Sequence, residues 1–149
     1  MKLTKDSREF IALLNSAATE YVVIGAYAVA YYGRPRYTGD IDIFVRASPE
    51  NARRLCQVIA AFGMDNLGIV EADFLEARNV VQLGVAPNRI DILTEIDGVD
   101  FSDAWKARVE AEHEGTLLPF ISREHLIQNK RATGRPQDLA DLQALGEEI

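Results

Sequence analysis

The run Gly39-Asp40-Ile41-Asp42-Ile43-Phe44-Val45 constrains this chain more than any other stretch. Ile41, Ile43 and Val45 alternate with Asp40, Asp42 and Phe44 at a period of two, which predicts a strand with one wholly aliphatic face. Both carboxylates then share the opposite face. Side chains two positions apart on a strand are roughly 7 Å apart at the backbone, so two ionised acids there repel unless water or a cation intervenes. Oxygen-only ligands at this spacing suit a hard divalent ion, magnesium or manganese, with further positions left to water and to phosphate oxygens. Solvated acids bordering a strand are the plainer alternative, and these residues alone leave both open.

A second feature lies just upstream. Tyr21-Val22-Val23-Ile24 is a short β-branched run ending at Gly25, and Ala26-Tyr27-Ala28-Val29-Ala30-Tyr31-Tyr32 reads as a helix closed by Gly33. A glycine at a strand-to-helix junction lets an anion approach the backbone, and the free amides of the helix start favour a phosphate. A phosphate cradle close in sequence to paired acids points to chemistry on a nucleoside triphosphate.

The remaining chain reads as support. Residues 4–18 predict a helix striped by Phe10, Leu13, Leu14 and Ala17. Ser48-Pro49-Glu50 opens another, with Leu55, Ile59 and Phe62 on one face and Gly63 as its stop. Residues 71–76 suggest a helical turn or two. Val80-Val81-Gln82-Leu83-Gly84-Val85 and Arg89-Ile90-Asp91-Ile92-Leu93 flank a turn and predict an antiparallel hairpin. Ile90 and Ile92 would face the core, leaving Asp91 where a partner strand can bring it beside Asp40 and Asp42. Glu95, Asp97 and Asp100 are rivals to it as a third carboxylate, but they sit in turn-like sequence. Residues 101–108 predict a short helix with Trp105 inward, residues 109–119 a second small hairpin, and Ser122 and Pro136 open two last helices, the final one striped by Leu139, Leu142 and Leu145. Tyr27, Tyr31 and Tyr32 read as packing residues.

Composition narrows the class. A chain of 149 residues with 48% hydrophobic and 26% charged residues fits one soluble domain, 1–149, with a single core. No apolar run approaches the roughly 20 residues of a membrane helix. The start of the chain lacks the apolar stretch of a signal peptide, so the expected location is cytoplasmic. The lone Cys56 is expected as a buried small hydrophobe, and His113 and His125 have no second ligand at zinc spacing. A formal net charge of −7 argues against non-specific duplex binding. Arg34, Arg36, Arg123, Lys130, Arg131 and Arg135 nevertheless make a local basic rim suited to a small anion or an RNA end.

The motifs Arg36-x-Thr38-x-Asp40-Ile41-Asp42, Arg89-Ile90-Asp91-Ile92-Leu93 and Lys130-x4-Arg135-Pro136-x-Asp138-Leu139-x-Asp141-Leu142, with Gly25 ahead of them, span most of the chain. In these the chain resembles the minimal nucleotidyltransferases of the DNA polymerase beta-like superfamily, of the small bacterial type related to abortive-infection and toxin–antitoxin systems. The resemblance implies an α+β nucleotidyltransferase-like fold, a small mixed sheet flanked by helices with a C-terminal helical pair. It implies Asp40, Asp42 and Asp91 as catalytic metal ligands in a two-metal transfer of a nucleoside monophosphate from an NTP. The acceptor, whether RNA end, protein or small molecule, is not legible.

The same resemblance implies nucleotide contacts from Gly25, Ala26, Lys130 and Arg135. The second residue of the glycine pair is Ala26, neither Gly nor Ser, which keeps a backbone amide and loses a hydroxyl. Lys130 can equally close its helix and pair with Asp138 or Asp141. Arg36 reads as a phosphate contact or as a loop residue tying down Asp42, Thr38 as a shaper of that loop, and Asp138 as a structural first-turn acid. The rival function is a catalytically degenerate nucleotide-binding or antitoxin-type interaction module of the same fold.

Overall fold

The structure, a computed structural model, describes residues 2–34 and 39–148. Arg36 and Thr38 therefore lie outside the described residues. In chain order the elements are α1 (Lys5–Ser16), β1 (Tyr21–Ile24), α2 (Gly25–Tyr32), β2 (Ile41–Val45), α3 (Pro49–Ala61), β3 (Val80–Leu83), β4 (Ile90–Leu93), α4 (Phe101–Ala107), β5 (Val109–His113), β6 (Thr116–Phe120), α5 (Arg123–Thr133) and α6 (Pro136–Ala144). Two 3-10 turns, Asp65–Leu67 and Glu71–Phe74, lie between α3 and β3, the second where residues 71–76 suggest a helical turn.

Capping explains the helix starts. Thr4 and Ser48 accept hydrogen bonds from the backbone N–H three residues on, at Ser7 and Asn51, and Ser122 does the same for His125. Such a cap contributes about 1 kcal/mol. Asp100, one of the rival acids, is the cap of α4 through the Ser102 N–H.

The six strands form one sheet in the order β3-β4-β2-β1-β6-β5. β1 pairs antiparallel with β2 and parallel with β6, and β2 runs parallel to β4. The predicted hairpins are β3–β4 and β5–β6, and the second extends this same sheet. Register sorts the side chains onto two faces. Tyr21, Val23, Ile43, Ile41, Ile90 and Ile92 share one and are all buried. α1 and α3 pack there: the Tyr21 hydroxyl donates to Asn15 on α1, and the Asn51 amide of α3 clamps the backbone of Glu20. The other face carries Ile24, Asp42, Asp91 and Gln82 along one row, with Phe44 beyond them against Phe101 of α4.

Two packing expectations change, those for Leu139 and Cys56, and the tyrosines pack as expected. Leu139 is exposed, because the buried face of α6 consists of Asp138, Asp141 and Leu142. Cys56 is only half-buried. Tyr31 is 41% exposed and stacks on Phe120, while Tyr27 is buried and the Tyr32 hydroxyl donates to the Ile121 carbonyl.

Candidate active site

The site begins where β1 turns into α2. Gly25 has φ +67°, and a Cβ built on it would lie 2.2 Å from Asp42 Oδ2. The left-handed backbone and the adjacent carboxylate each exclude a side chain. Glycine is required here for a reason additional to the phosphate approach read from sequence, since Asp42 itself occupies the space beside its Cα.

Asp42 and Asp91 are register partners across the parallel β2–β4 pair. The Asp42 carboxyl is pushed up to about 7, first by burial, then by the Asp91 charge and a hydrogen bond with Asp91, with Asp40 adding a smaller push and Lys130 opposing them. Two acids this close share a proton more easily than they both ionise. The pair therefore favours any cation that can reach it.

Asp40, one residue before β2, is held from the other side. Its Oδ1 accepts the Arg89 N–H at 2.9 Å, while the Ile41 N–H donates to the Arg89 carbonyl at 3.0 Å. Gly39 makes that approach possible, because a Cβ there would meet the Pro87 carbonyl oxygen at 1.8 Å. The Arg89 guanidinium grips Asp91 with two hydrogen bonds, Nε to Oδ1 at 2.7 Å and Nη2 to Oδ2 at 3.1 Å, and lies 3.9 Å from Asp40 Oδ2. Asp42 and Asp91 are thus brought together, whereas Asp40 faces Arg89. Among the described residues no group of three His, Cys, Asp or Glu side chains forms a ready metal cluster.

Cations arrive from the C-terminal pair. Lys130 on α5 is buried, its Nζ 3.0 Å from Asp141 Oδ2 and 3.3 Å from Asp138 Oδ1. Arg135 caps α6 reciprocally with Asp138, donating from Nε at 2.7 Å, and leaves its side chain 71% exposed. Burial alone would raise the Asp138 carboxyl, but hydrogen bonds from Arg135 and Thr133 and the Lys130 charge outweigh it and hold it well below the usual carboxylate range. The structural reading of Asp138 and the ion-pair reading of Lys130 both describe these contacts.

An open cavity of about 560 Å³ lies on this face, lined among others by Gly25, Asp42, Asp91, Lys130 and Arg135. That is within the size range of small-ligand sites. Five residues singled out from sequence thus border one space, although α5 is far from β2 in the chain. Ala26 and Asp40 are not among the lining residues. Glu95 and Asp97 do line it, but both are paired with Arg78, Glu95 at 2.8 Å.

Sequence reasoning missed the role of Arg89. Its signal was present: Arg89 and Asp91 are two apart on one strand face, the same spacing that drew attention to Asp40 and Asp42.

No protein-family model matches the chain, and no curated protein does. Solved structures do. A Thermotoga maritima protein provisionally described as a nucleotidyltransferase superposes with a TM-score of 0.59 at 19% identity, over 91% of this chain and 87% of that one. An antigenic nucleotidyltransferase-like protein from Paracoccidioides brasiliensis gives 0.55 at 13% identity, over 96% of this chain and 75% of that one. At these identities the likeness establishes the fold: the chain has a nucleotidyltransferase-like fold.

Proposed function

We propose that this chain is a metal-dependent nucleotidyltransferase, moving a nucleoside monophosphate from an NTP to an acceptor hydroxyl with loss of pyrophosphate. The observation that carries this is the Asp42–Asp91 pair beside Gly25, in a cavity that Lys130 and Arg135 also line. The donor set fits a hard divalent cation, because these are carboxylate oxygens whose mutual repulsion already raises Asp42. Asp42 and Asp91 would hold magnesium or manganese, with Asp40 at the margin. Bound there, the ion would neutralise triphosphate charge and acidify the attacking hydroxyl.

The chain's own residues supply the rest. Arg135 is mostly exposed and gives the Nε–Nη2 side of its guanidinium to Asp138, so its remaining N–H groups would meet phosphate oxygens at the cavity. Lys130 sets a buried positive charge at the cavity wall. Gly25 lines the cavity without a side chain, which would let the terminal phosphates approach the backbone at the start of α2, where Ala26 follows outside the cavity lining. Arg89 orients Asp91.

A specific observation favours a second reading, a nucleotide-binding or antitoxin-type interaction module without turnover. Lys130 and Arg135 are already matched by Asp138 and Asp141, which reduces their pull on a triphosphate. Incubation with each α-labelled NTP, magnesium or manganese, and total RNA or lysate separates the two. Label transferred to RNA, protein or a small molecule supports the enzyme and identifies the acceptor class. NTP binding with no label transferred by any of the four nucleotides supports the binding module.

A further inference from the structure

The row of side chains on the cavity floor continues past the carboxylates. From Ile24, beside Gly25, it runs through Asp42 and Asp91 to Gln82 on β3, the last strand of the sheet on that side. All of these residues line the cavity. Neighbouring strands lie about 5 Å apart, so Gln82 sits one strand beyond Asp91, on the side away from Gly25. In an in-line displacement the attacking and leaving oxygens stand on opposite sides of the phosphorus. With the terminal phosphates at Gly25 and the reacting phosphorus over Asp42 and Asp91, the acceptor hydroxyl comes in over Gln82.

Gln82 also has its hydrogen-bonding groups free: it makes no hydrogen bond among the described residues. The other polar lining groups are committed. Asp42 and Asp91 engage each other and Arg89, and the lining cations Arg78, Lys130 and Arg135 are all paired with carboxylates. The Asn129 side-chain N–H donates to the Asp97 carbonyl, and the Thr133 hydroxyl to two backbone carbonyls. A carboxamide can both accept from a hydroxyl and donate to one. Gln82 is exposed, so turning to an acceptor breaks no contact. Val80 and Leu93, next along the same face, add apolar surface beside it, with Val80 47% exposed.

We propose that Gln82 binds the acceptor and positions its hydroxyl, and that the acceptor enters across the edge strand β3. The proposal rests on the nucleotidyltransferase reading. The bond from the acceptor oxygen to the α-phosphorus forms as the bond from that phosphorus to the pyrophosphate oxygen breaks. Pyrophosphate leaves with the electron pair on the Gly25 side, and the acceptor's proton passes to water at the open mouth of the cavity.

The test uses the full-length chain with an α-labelled NTP, magnesium and total lysate as the source of acceptor, comparing wild type with Gln82→Leu, which keeps the bulk and removes the hydrogen-bonding groups. Label transfer is measured against lysate concentration at saturating NTP, and against NTP at fixed lysate. Gln82→Leu should raise the half-saturating lysate concentration about tenfold, the loss of one or two hydrogen bonds, and change the half-saturating NTP concentration less than twofold. Gln82→Val, which favours a strand, should show the same split. Circular dichroism checks both variants, and an unchanged NTP half-saturation reports an intact site. An equal rise for NTP and lysate, or no rise for either, overturns the proposal. Transfer by wild type that the two variants reproduce sinks only the role given to Gln82, whereas no transfer by wild type sinks the nucleotidyltransferase reading itself and the proposal with it.

Discussion

Replacing Asp42 by Asn should make the folded protein more stable at neutral and alkaline pH while removing the nucleotidyl transfer proposed above. Folding carries the Asp42 carboxyl from an ordinary 3.8 to about 7, chiefly through burial and the neighbouring Asp91. The native state thus holds a proton more tightly than the unfolded chain. Between about pH 4 and pH 7 it binds more protons than the unfolded state, so wild-type stability falls as pH rises, and the loss is complete above the folded value. A shift of about three units at 1.36 kcal/mol each sets the loss at about 4 kcal/mol. The asparagine amide can donate to Asp91 as the protonated acid does, so the variant should match wild type near pH 4 and exceed it by up to about 4 kcal/mol at pH 8. Urea unfolding at pH 4, 6 and 8, with chelator throughout, measures this directly. Equal pH dependence in the two proteins, or a variant less stable at pH 8, would refute the reasoning and make Asp42 a structural residue.

Gly25→Ala should lose about 2 to 4 kcal/mol, from left-handed backbone strain together with overlap on Asp42, and pairing it with Asp42→Ala should recover the overlap part; a double-mutant unfolding cycle reads the coupling. Asp138→Ala leaves Lys130 buried with one partner fewer and should cost about 3 to 5 kcal/mol in denaturant unfolding. Because the Asp138 carboxyl is held low, its contribution is present above the ordinary carboxylate range and fades as pH falls toward its folded value, so the gap between wild type and Asp138→Ala should narrow in strong acid. Ala26→Ser should change NTP affinity by only about 1 kcal/mol, one added hydrogen bond, and should create no activity in a protein that lacks it; transfer appearing only in this variant would mark the natural chain as a binding module.

Local pattern was enough for much of this architecture. The alternation of Ile41, Ile43 and Val45 with Asp40 and Asp42, the caps at Thr4, Ser48 and Ser122, and the turns between hairpin strands all act over a few residues, so the chain states them directly. The same arithmetic put Ile90 and Ile92 in the core and Asp91 on the face it shares with Asp42. Arg89 was equally legible by spacing, but its weight depends on which carboxylates face it, and that is set by the pairing of β2 with β4.

Tertiary structure decided what joins what. The order β3-β4-β2-β1-β6-β5 depends on burial shared between distant segments, and no local pattern encodes it. That order seats Asp91 beside Asp42, turns Asp40 toward Arg89, and lays α5 over the row so that Lys130 is felt by Asp42. It also left Leu139 of the predicted α6 stripe outside, while Leu142 and Leu145 are buried, because burying Asp138 and Asp141 against Lys130 and Arg135 satisfies four charges at once. Gly25 shows both levels in one residue. Its place between strand and helix is plain in the sequence, but the need for glycine there comes from an aspartate on another strand, whose oxygen lies where a methyl group would be.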